Sequence, residues 1–397
     1  MENHVTTVVT KTNFVKRILN SIAGIFFGFL IFIGSFFLLF WNEGRPNQLD
    51  TYKQASEVNS NDLANVQDGE FIAVRGTLTS SDESQLGDPL LLKPGNYLVL
   101  ERRVEMYSWI EESKSETKSL PGGSEETVTT YTYKQDWTSN PQDSSRFHDT
   151  TKHFNPEPGV EKETFINDSV TLGDHSVDLQ NATLPGLNKL NLNQDMLLKQ
   201  PGAPREAIPG STLTNVQVQN NYVFSGVGDL LNPQVGDYRI TYYVLPQNTE
   251  VLLFAQKENN KLAAYTDKNG VQAYRVFTGS YNEALRQIGT EDKLLRWGLR
   301  AAGFILMWSG LMAMLGLLTV LADVIPFIGR LTKTILGFIT FLIALILTTL
   351  TVIISIILHS TIAMIIIGTL LAITLVVVLY LIIQSKHRNK PGTVTST

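Results

Sequence analysis

The chain has 397 residues, no cysteine and a formal net charge of −5 at pH 7. Without cysteine there is no disulfide, no thiolate metal site and no cysteine nucleophile. The charge is segregated: residues 44–293 hold 22 Lys and Arg against 34 Asp and Glu, and the remainder holds 10 basic against 3 acidic residues. An acidic domain lacks the basic footprint that phosphate backbones need, which excludes nucleic acid as a partner.

In chain order, residues 1–17 read as a polar cytoplasmic tail. Ile18 to Asn42 carries no charged side chain and exceeds the roughly 20 residues that a helix needs to cross a hydrocarbon core. It is too long for a signal-peptide core and lacks a small-residue cleavage site, so it reads as a retained anchor (18–42). Trp41 stands where an interfacial aromatic belongs, and Gly24 and Gly28 form a GxxxG pair that lets another helix approach closely.

The acidic region reads as strands. Residues 43–200 form a first β-module with alternating runs at Phe71–Leu78 and Tyr97–Ile110. A polar loop around Pro121-Gly-Gly123 follows, and then a return strand from Thr127 to Trp137. After a Pro/Gly-rich passage at 201–210, residues 201–279 form a second module. Its strands are Asn221–Val227, Asp237–Leu245 and Glu250–Lys257, the last turning at Asn259-Asn260 into Lys261–Tyr265. Both halves run strand, Gly-containing exit, Gly-Asx-Tyr turn, strand, hairpin, so we read them as related modules.

Residues 280–300 turn helical. Ser280 and Glu283 fit a capping box, and Thr290-Glu-Asp292 offers a second helix start. Charge-free stretches at 301–322, 334–358 and 360–385 then supply three further spans, before a basic tail at 386–397. Lys11, Lys16 and Arg17, then Arg330 and Lys333, then Lys386, Arg388 and Lys390 fall on one side if four spans alternate. That side is expected to be cytoplasmic, with both termini there and residues 44–293 outside. Arg45, Lys293, Arg296 and Arg300 are the exceptions.

The expected fold is therefore an α+β membrane protein with four transmembrane helices, one N-terminal and three C-terminal. These carry a large β-rich extracytoplasmic domain of two related β-modules.

The chain lacks a GxSxG elbow, a Walker A loop, an HExxH motif and a GxGxxG after a strand. His148 and His153 are five apart, which is not the spacing of a zinc helix. Adjacent acids such as Glu111-Glu112 point to opposite faces of a strand. The spans hold no ionisable group of the kind a pump or transporter places there, and Thr348, Thr349 and Thr351 bond back to the preceding turn. No catalytic residue, metal or cofactor is expected, and the chain is not expected to be an enzyme.

Glu43, Arg45, Arg103, Glu105, Trp109, Trp137, Asp237, Trp297 and Arg300 are the structural and interaction candidates. Glu43 and Arg300 flank the outer ends of two spans, where Arg300 can snorkel to the interface and pair with Glu43. Trp41 and Trp297 serve there as anchors.

Six segments carry a resemblance. They are Asn42-Glu-Gly-Arg45, Arg103-Val-Glu-Met-Tyr-Ser-Trp109, Tyr131-Thr-Tyr133 with Trp137, Asn155-Pro156, Val235-Gly-Asp-Tyr-Arg239 and Trp297-Gly-Leu-Arg-Ala-Ala-Gly303. With them the chain resembles the LUMA (transmembrane protein 43) family from residue 14 to about 385. The resemblance implies an endoplasmic-reticulum or inner-nuclear-membrane protein with a luminal domain, self-association into a homo-oligomer, and a role in organising membrane protein complexes. It brings no catalytic residues. The β-modules alone are also similar to the membrane-adjacent domain of some membrane-anchored ubiquitin ligases, but without cysteine there is no RING. The Ile-, Leu- and Thr-rich last spans and the missing cysteine point to a bacterial relative, in the inner membrane with its domain in the periplasm. The function expected is a multi-pass scaffold whose partners are the lipid bilayer and other membrane proteins. Two alternatives stand beside it: a conduit formed by oligomerised spans, and a hydrolase using the domain carboxylates.

Overall fold

The computed structural model describes residues 4–80, 85–198 and 213–360, together with Ile365, Thr369, Ile373, Val376 and Val377. The expected fourth span and most of the Pro/Gly passage lie outside the described residues. The chain divides into two compact units. One comprises the residues up to Lys11, Asn47–Lys118 and Glu126–Asp292; the other comprises Thr12–Pro46, Ser119–Glu125 and Lys293 onward.

Among the described residues, the β-rich unit holds two main sheets. The eight-stranded sheet runs β1 (His4–Thr12), β7 (Glu125–Thr138), β6 (Tyr97–Ser119), β14 (Tyr238–Pro246), β13 (Tyr222–Ser225) and β12 (Gln217–Gln219). β11 (Asn188–Lys189) also pairs with β14, and β8 (Glu163–Ile166) with β6. The seven-stranded sheet runs β19 (Arg275–Phe277), β15 (Thr249–Glu258), β16 (Lys261–Ala263), β10 (His175–Val177), β9 (Val170–Leu172), β3 (Phe71–Ser80) and β2 (Ser56–Asn59). Two small hairpins, β4 (Leu86–Asp88) with β5 (Leu92–Gly95) and β17 (Tyr265–Thr266) with β18 (Gln272–Ala273), complete the set.

This assembly corrects three expectations. The two halves do not form a sheet each: β6 pairs antiparallel with β14, and β3 pairs antiparallel with β15. β3 and β13, read as counterparts, stand in different sheets. The reason is the two-residue turn at Gln247-Asn248, where Asn248 adopts φ 60°. It carries the chain from one sheet straight into the other, so each sheet recruits strands from both halves. Second, residues 4–12 are not a separate tail but a strand beside β7, as their β-branched run of Val and Thr favours. Third, β6 runs 23 residues to Ser119 and turns tightly rather than ending at Ile110. Gly122 and Gly123 adopt φ of 83° and 79° there, values that glycine takes without steric cost.

The core follows the two-residue period of the strands. Leu98, Leu100, Val104 and Met106 of β6 are buried, as are Tyr238, Ile240, Tyr242 and Val244 of β14. On the seven-stranded sheet, Val251, Leu253 and Ala255 join Ile72, Val74 and Leu78 in a core. Leu252 and Phe254, on the other face of β15, pack with Phe71, Ala73, Tyr52, Ala284 and Ile288. Tyr52 belongs to the short helix α2 (Gln48–Tyr52), and Ala284 and Ile288 to the start of α3 (Tyr281–Met314). The expected capping box opens α3: Ser280 N–H donates to Glu283 Oε2 at 2.8 Å. The second helix start is absent from α3, which runs through it unbroken. Thr290 Oγ1 instead donates to the Arg286 carbonyl at 2.8 Å, and Glu291 pairs with Arg275.

In the helical unit, α1 (Phe14–Gly44) and α5 (Pro326–His359) belong to the two helices long and apolar enough to cross a membrane. α3 with α4 (Gly316–Ala322) gives a third if the pair is one span bent by 47°. The bend falls at Leu315-Gly316, where glycine relaxes the helix ladder. Small side chains make the seam between these helices. A Cβ on Gly28 would lie 2.8 Å from the Gly310 carbonyl oxygen, and one on Gly303 would lie 2.5 Å from Leu39. The glycine pair read in α1 thus serves contact with α3 of the same chain, as small-residue seams do in lipid. Leu39, Met307 and Ala344 form the buried apolar centre.

Candidate functional site

In the β-rich unit, Arg103, Glu105 and Trp137 converge on one face of the eight-stranded sheet. Arg239 lies directly opposite Glu105 in the β6–β14 register, and its guanidinium holds that carboxylate at 2.6 and 3.0 Å. The same guanidinium sits 4.9 Å from the Trp137 ring centre and 5.4 Å from that of Tyr222. Arg103 stacks at 3.8 Å over Tyr243 and donates to Glu101 at 2.7 Å. That bond, aided by Lys162, holds the Glu101 carboxyl below its usual range. Lys189 stands 4.6 Å over Tyr222. Stacking on an aromatic face fixes each cation while leaving donors for a further ligand.

The other two candidates of this unit have supporting roles. Asp237 is buried, and its carboxylate accepts N–H bonds from Val227, Gly228 and Gln234 at 2.8, 3.1 and 2.8 Å. This cage fixes the start of β14 and so the position of Arg239. Trp109 is held through its backbone. Its N–H donates to Asn155 Oδ1 at 2.7 Å, and its carbonyl accepts from Asn155 Nδ2 at 2.9 Å. Its ring lies edge-on to His153 at 4.7 Å, and His153 stacks on Tyr133 at 3.8 Å. The Tyr133 hydroxyl donates to Glu111 at 2.6 Å. Burial, then that bond, pushes its pKa up to about 12.

In the helical unit, Glu43, Arg45, Trp297 and Arg300 meet where α1 ends. Arg300 Nε and Nη2 each reach a different Glu43 oxygen at 2.8 Å. Arg300 also lies 4.8 Å over Trp297, and Arg45 lies 5.7 Å over Trp41. Asn42 Nδ2 donates to the Arg296 carbonyl at 3.1 Å, and Arg296 Nη1 donates to the Asn42 carbonyl at 3.2 Å. A Cβ on Gly44 would press on the His359 ring, so glycine there lets the end of α5 approach with that ring in place. Each residue of Asn42-Glu-Gly-Arg45 therefore has a distinct contact at this junction. Trp41 and Trp297 are exposed at 58% and 66%, as interfacial anchors in a bilayer would be.

The family model described as Transmembrane protein 43 matches residues 106–361. The chain belongs to the transmembrane protein 43 family. Curated relatives agree. Transmembrane protein 43 of Mus musculus is 27% identical over 337 residues, covering 79% of this chain and 78% of the relative. The Homo sapiens protein is 25% identical over 340 residues, covering 80% of each. The Drosophila melanogaster homolog is 25% identical over 296 residues, covering 72% of this chain and 74% of the relative. No solved structure matches. The family name states a membrane protein.

This member of the transmembrane protein 43 family also holds a charged centre that sequence reasoning missed. Arg102 is buried and donates to both Asp88 oxygens at 2.7 Å, to Glu163 at 2.7 Å and to the Glu161 carbonyl at 3.0 Å. The Tyr242 hydroxyl donates to Asp88 as well, and burial beside that carboxylate raises the tyrosine pKa. A signal was present. Arg102 stands in phase with Leu100 and Val104, and Tyr242 with Ile240 and Val244, so both belong to the buried stripe. A charge there demands a partner, but nothing local pointed to Asp88.

Proposed function

We propose that this protein is a membrane-anchored scaffold that organises other membrane proteins through the cation–aromatic face of its β-rich unit. The carrying observation is the grouping of Arg103, Arg239 and Lys189 on Tyr243, Trp137 and Tyr222. Arg, Tyr and Trp dominate the energetics of protein interfaces, because they present rigid contact area together with hydrogen-bond donors. The Glu43–Arg300 junction supports the anchoring role by tying α1 to α3. Self-association is part of the proposal, as is a fourth span at 360–385.

Crosslinking in cells followed by mass spectrometry tests the scaffold. Crosslinks to membrane proteins should concentrate at Lys162 and Lys189, and Arg239→Ala with Arg103→Ala should deplete them several-fold. Crosslinks that are unchanged in the double variant would remove the face from the proposal.

On topology, we propose that the acidic domain is extracytoplasmic, with alternating spans. Single cysteines introduced at Lys152 and Ser396 test this in a cysteine-free background. Lys152→Cys should label from outside and Ser396→Cys from the cytoplasm. Labelling of both from one side would overturn the alternation.

A further inference from the structure

The start of α1 carries a second charged cluster, which neither the scaffold face nor the Glu43–Arg300 junction uses. Arg17, 5% exposed, donates to the Gly123 carbonyl at 2.6 Å and pairs with Glu125 at 3.1 Å. It also pairs with Asp323 at 2.5 Å, and Asp323, fully buried, takes Lys333 at 2.7 Å as well. Gly329 lies against the Asp323 carboxylate so closely that any Cβ there would overlap it. The N-terminal end of α5, which carries Arg330 and Lys333 in its second turn, is thereby held beside Arg17. Lys16 and Arg330 are both exposed, and among the described residues neither has a carboxylate partner. Four cations (Lys16, Arg17, Arg330 and Lys333) thus stand against two carboxylates, Glu125 and Asp323. Val15, Leu19, Phe327 and Leu331 alternate with these cations and are exposed, Phe327 at 80%.

We infer that this cluster binds the headgroup of an anionic phospholipid. Lys16 and Arg330 meet the phosphate, while the acyl chains lie on Val15, Leu19, Phe327 and Leu331. The Asp323 centre makes no contact with the lipid; by taking both Arg17 and Lys333 it holds the helix end that carries Lys16 to the helix end that carries Arg330. Two uncompensated positive charges favour a headgroup of net negative charge, since a zwitterionic one brings a cation of its own. A soluble anion would meet the cations but leave the apolar side chains unused, so the site is fitted to a lipid rather than to free phosphate.

Native mass spectrometry of the detergent-solubilised full chain, titrated with phosphatidylglycerol or phosphatidylcholine, tests this. The wild type should retain phosphatidylglycerol selectively. Lys16→Gln with Arg330→Gln should lower that retention by roughly fivefold per cation removed. A control pair in the domain, Lys152→Gln with Lys268→Gln, should leave it unchanged. Equal retention of the two lipids, or an unaltered Lys16→Gln/Arg330→Gln variant, would overturn the inference. Displacement of the lipid by inorganic phosphate would assign the cluster to a soluble anion instead. If the variant is not monodisperse, the wild type decides: rising salt should strip phosphatidylglycerol and spare phosphatidylcholine, and a salt-independent preference would count against the site.

Discussion

Glu43 and Arg300, 257 positions apart in the chain, meet in a two-point pair with both nitrogen–oxygen distances at 2.8 Å. The Glu43 side chain is 2% exposed and that of Arg300 is 19% exposed. A pair shielded to this degree costs much more to break than a surface pair, because the orphaned charge stays buried. Glu43→Gln or Arg300→Gln should each destabilise the helical unit by about 3 kcal/mol. The charge exchange Glu43→Arg with Arg300→Glu should recover part of that loss. Thermal midpoints in detergent measure both, and an exchange no better than the worse single variant would show that Arg300 serves lipid phosphate rather than Glu43.

The glycine seam gives a second expectation. Gly28→Val or Gly310→Val should separate α1 from α3, since each Cβ would fall within about 3 Å of the other helix's backbone. Cysteines placed at Leu39 and Met307, neighbours in the buried centre, should crosslink in the parent chain and fail to do so in either valine variant. Crosslinking that survives both substitutions would refute the seam.

At the buried centre of the β-rich unit, Arg102→Met should strand Asp88 and cost about 3–5 kcal/mol. Asp88→Leu combined with Arg102→Met removes both charges and should cost less than Arg102→Met alone. Chemical denaturation of the full chain measures the difference. A double variant weaker than either single one would mean that Tyr242 and Glu163 depend on the pair.

Alkaline pH supplies a fourth test. Tyr133 and Tyr274 are both pushed up to about 12, chiefly by burial. A folded-state pKa raised above the unfolded value of about 10 means that the folded protein holds these protons more tightly. Their contribution is complete below about pH 10 and is lost as pH rises toward 12. Spectrophotometric titration should show a late tyrosine fraction ionising together with unfolding. Tyr133→Phe should flatten part of the pH dependence, and an unchanged profile would acquit Tyr133.

The sequence by itself determined the elements whose cause is local. The charge-free runs in α1 and α5 form helices long and apolar enough to cross a membrane, the alternating runs form half-buried strands, and Ser280 with Glu283 opens α3, because each follows from neighbours within one turn or one pleat. It also gave the Glu43–Arg300 pair, since both residues flank apolar runs and the bilayer brings such ends to one plane. What only the tertiary structure decided is non-local. Which strands share a sheet depends on register between distant segments, so the two-module reading dissolved once the turn at Asn248 sent β14 and β15 into different sheets. The second cap at Thr290 lost because burial of Ala284 and Ile288 carries α3 straight through a sequence that would otherwise restart it. Asp88 was invisible as the partner of Arg102 because a buried charge announces its need for a counter-ion but not the address. That address was set when the β4–β5 hairpin folded over the stripe of β6.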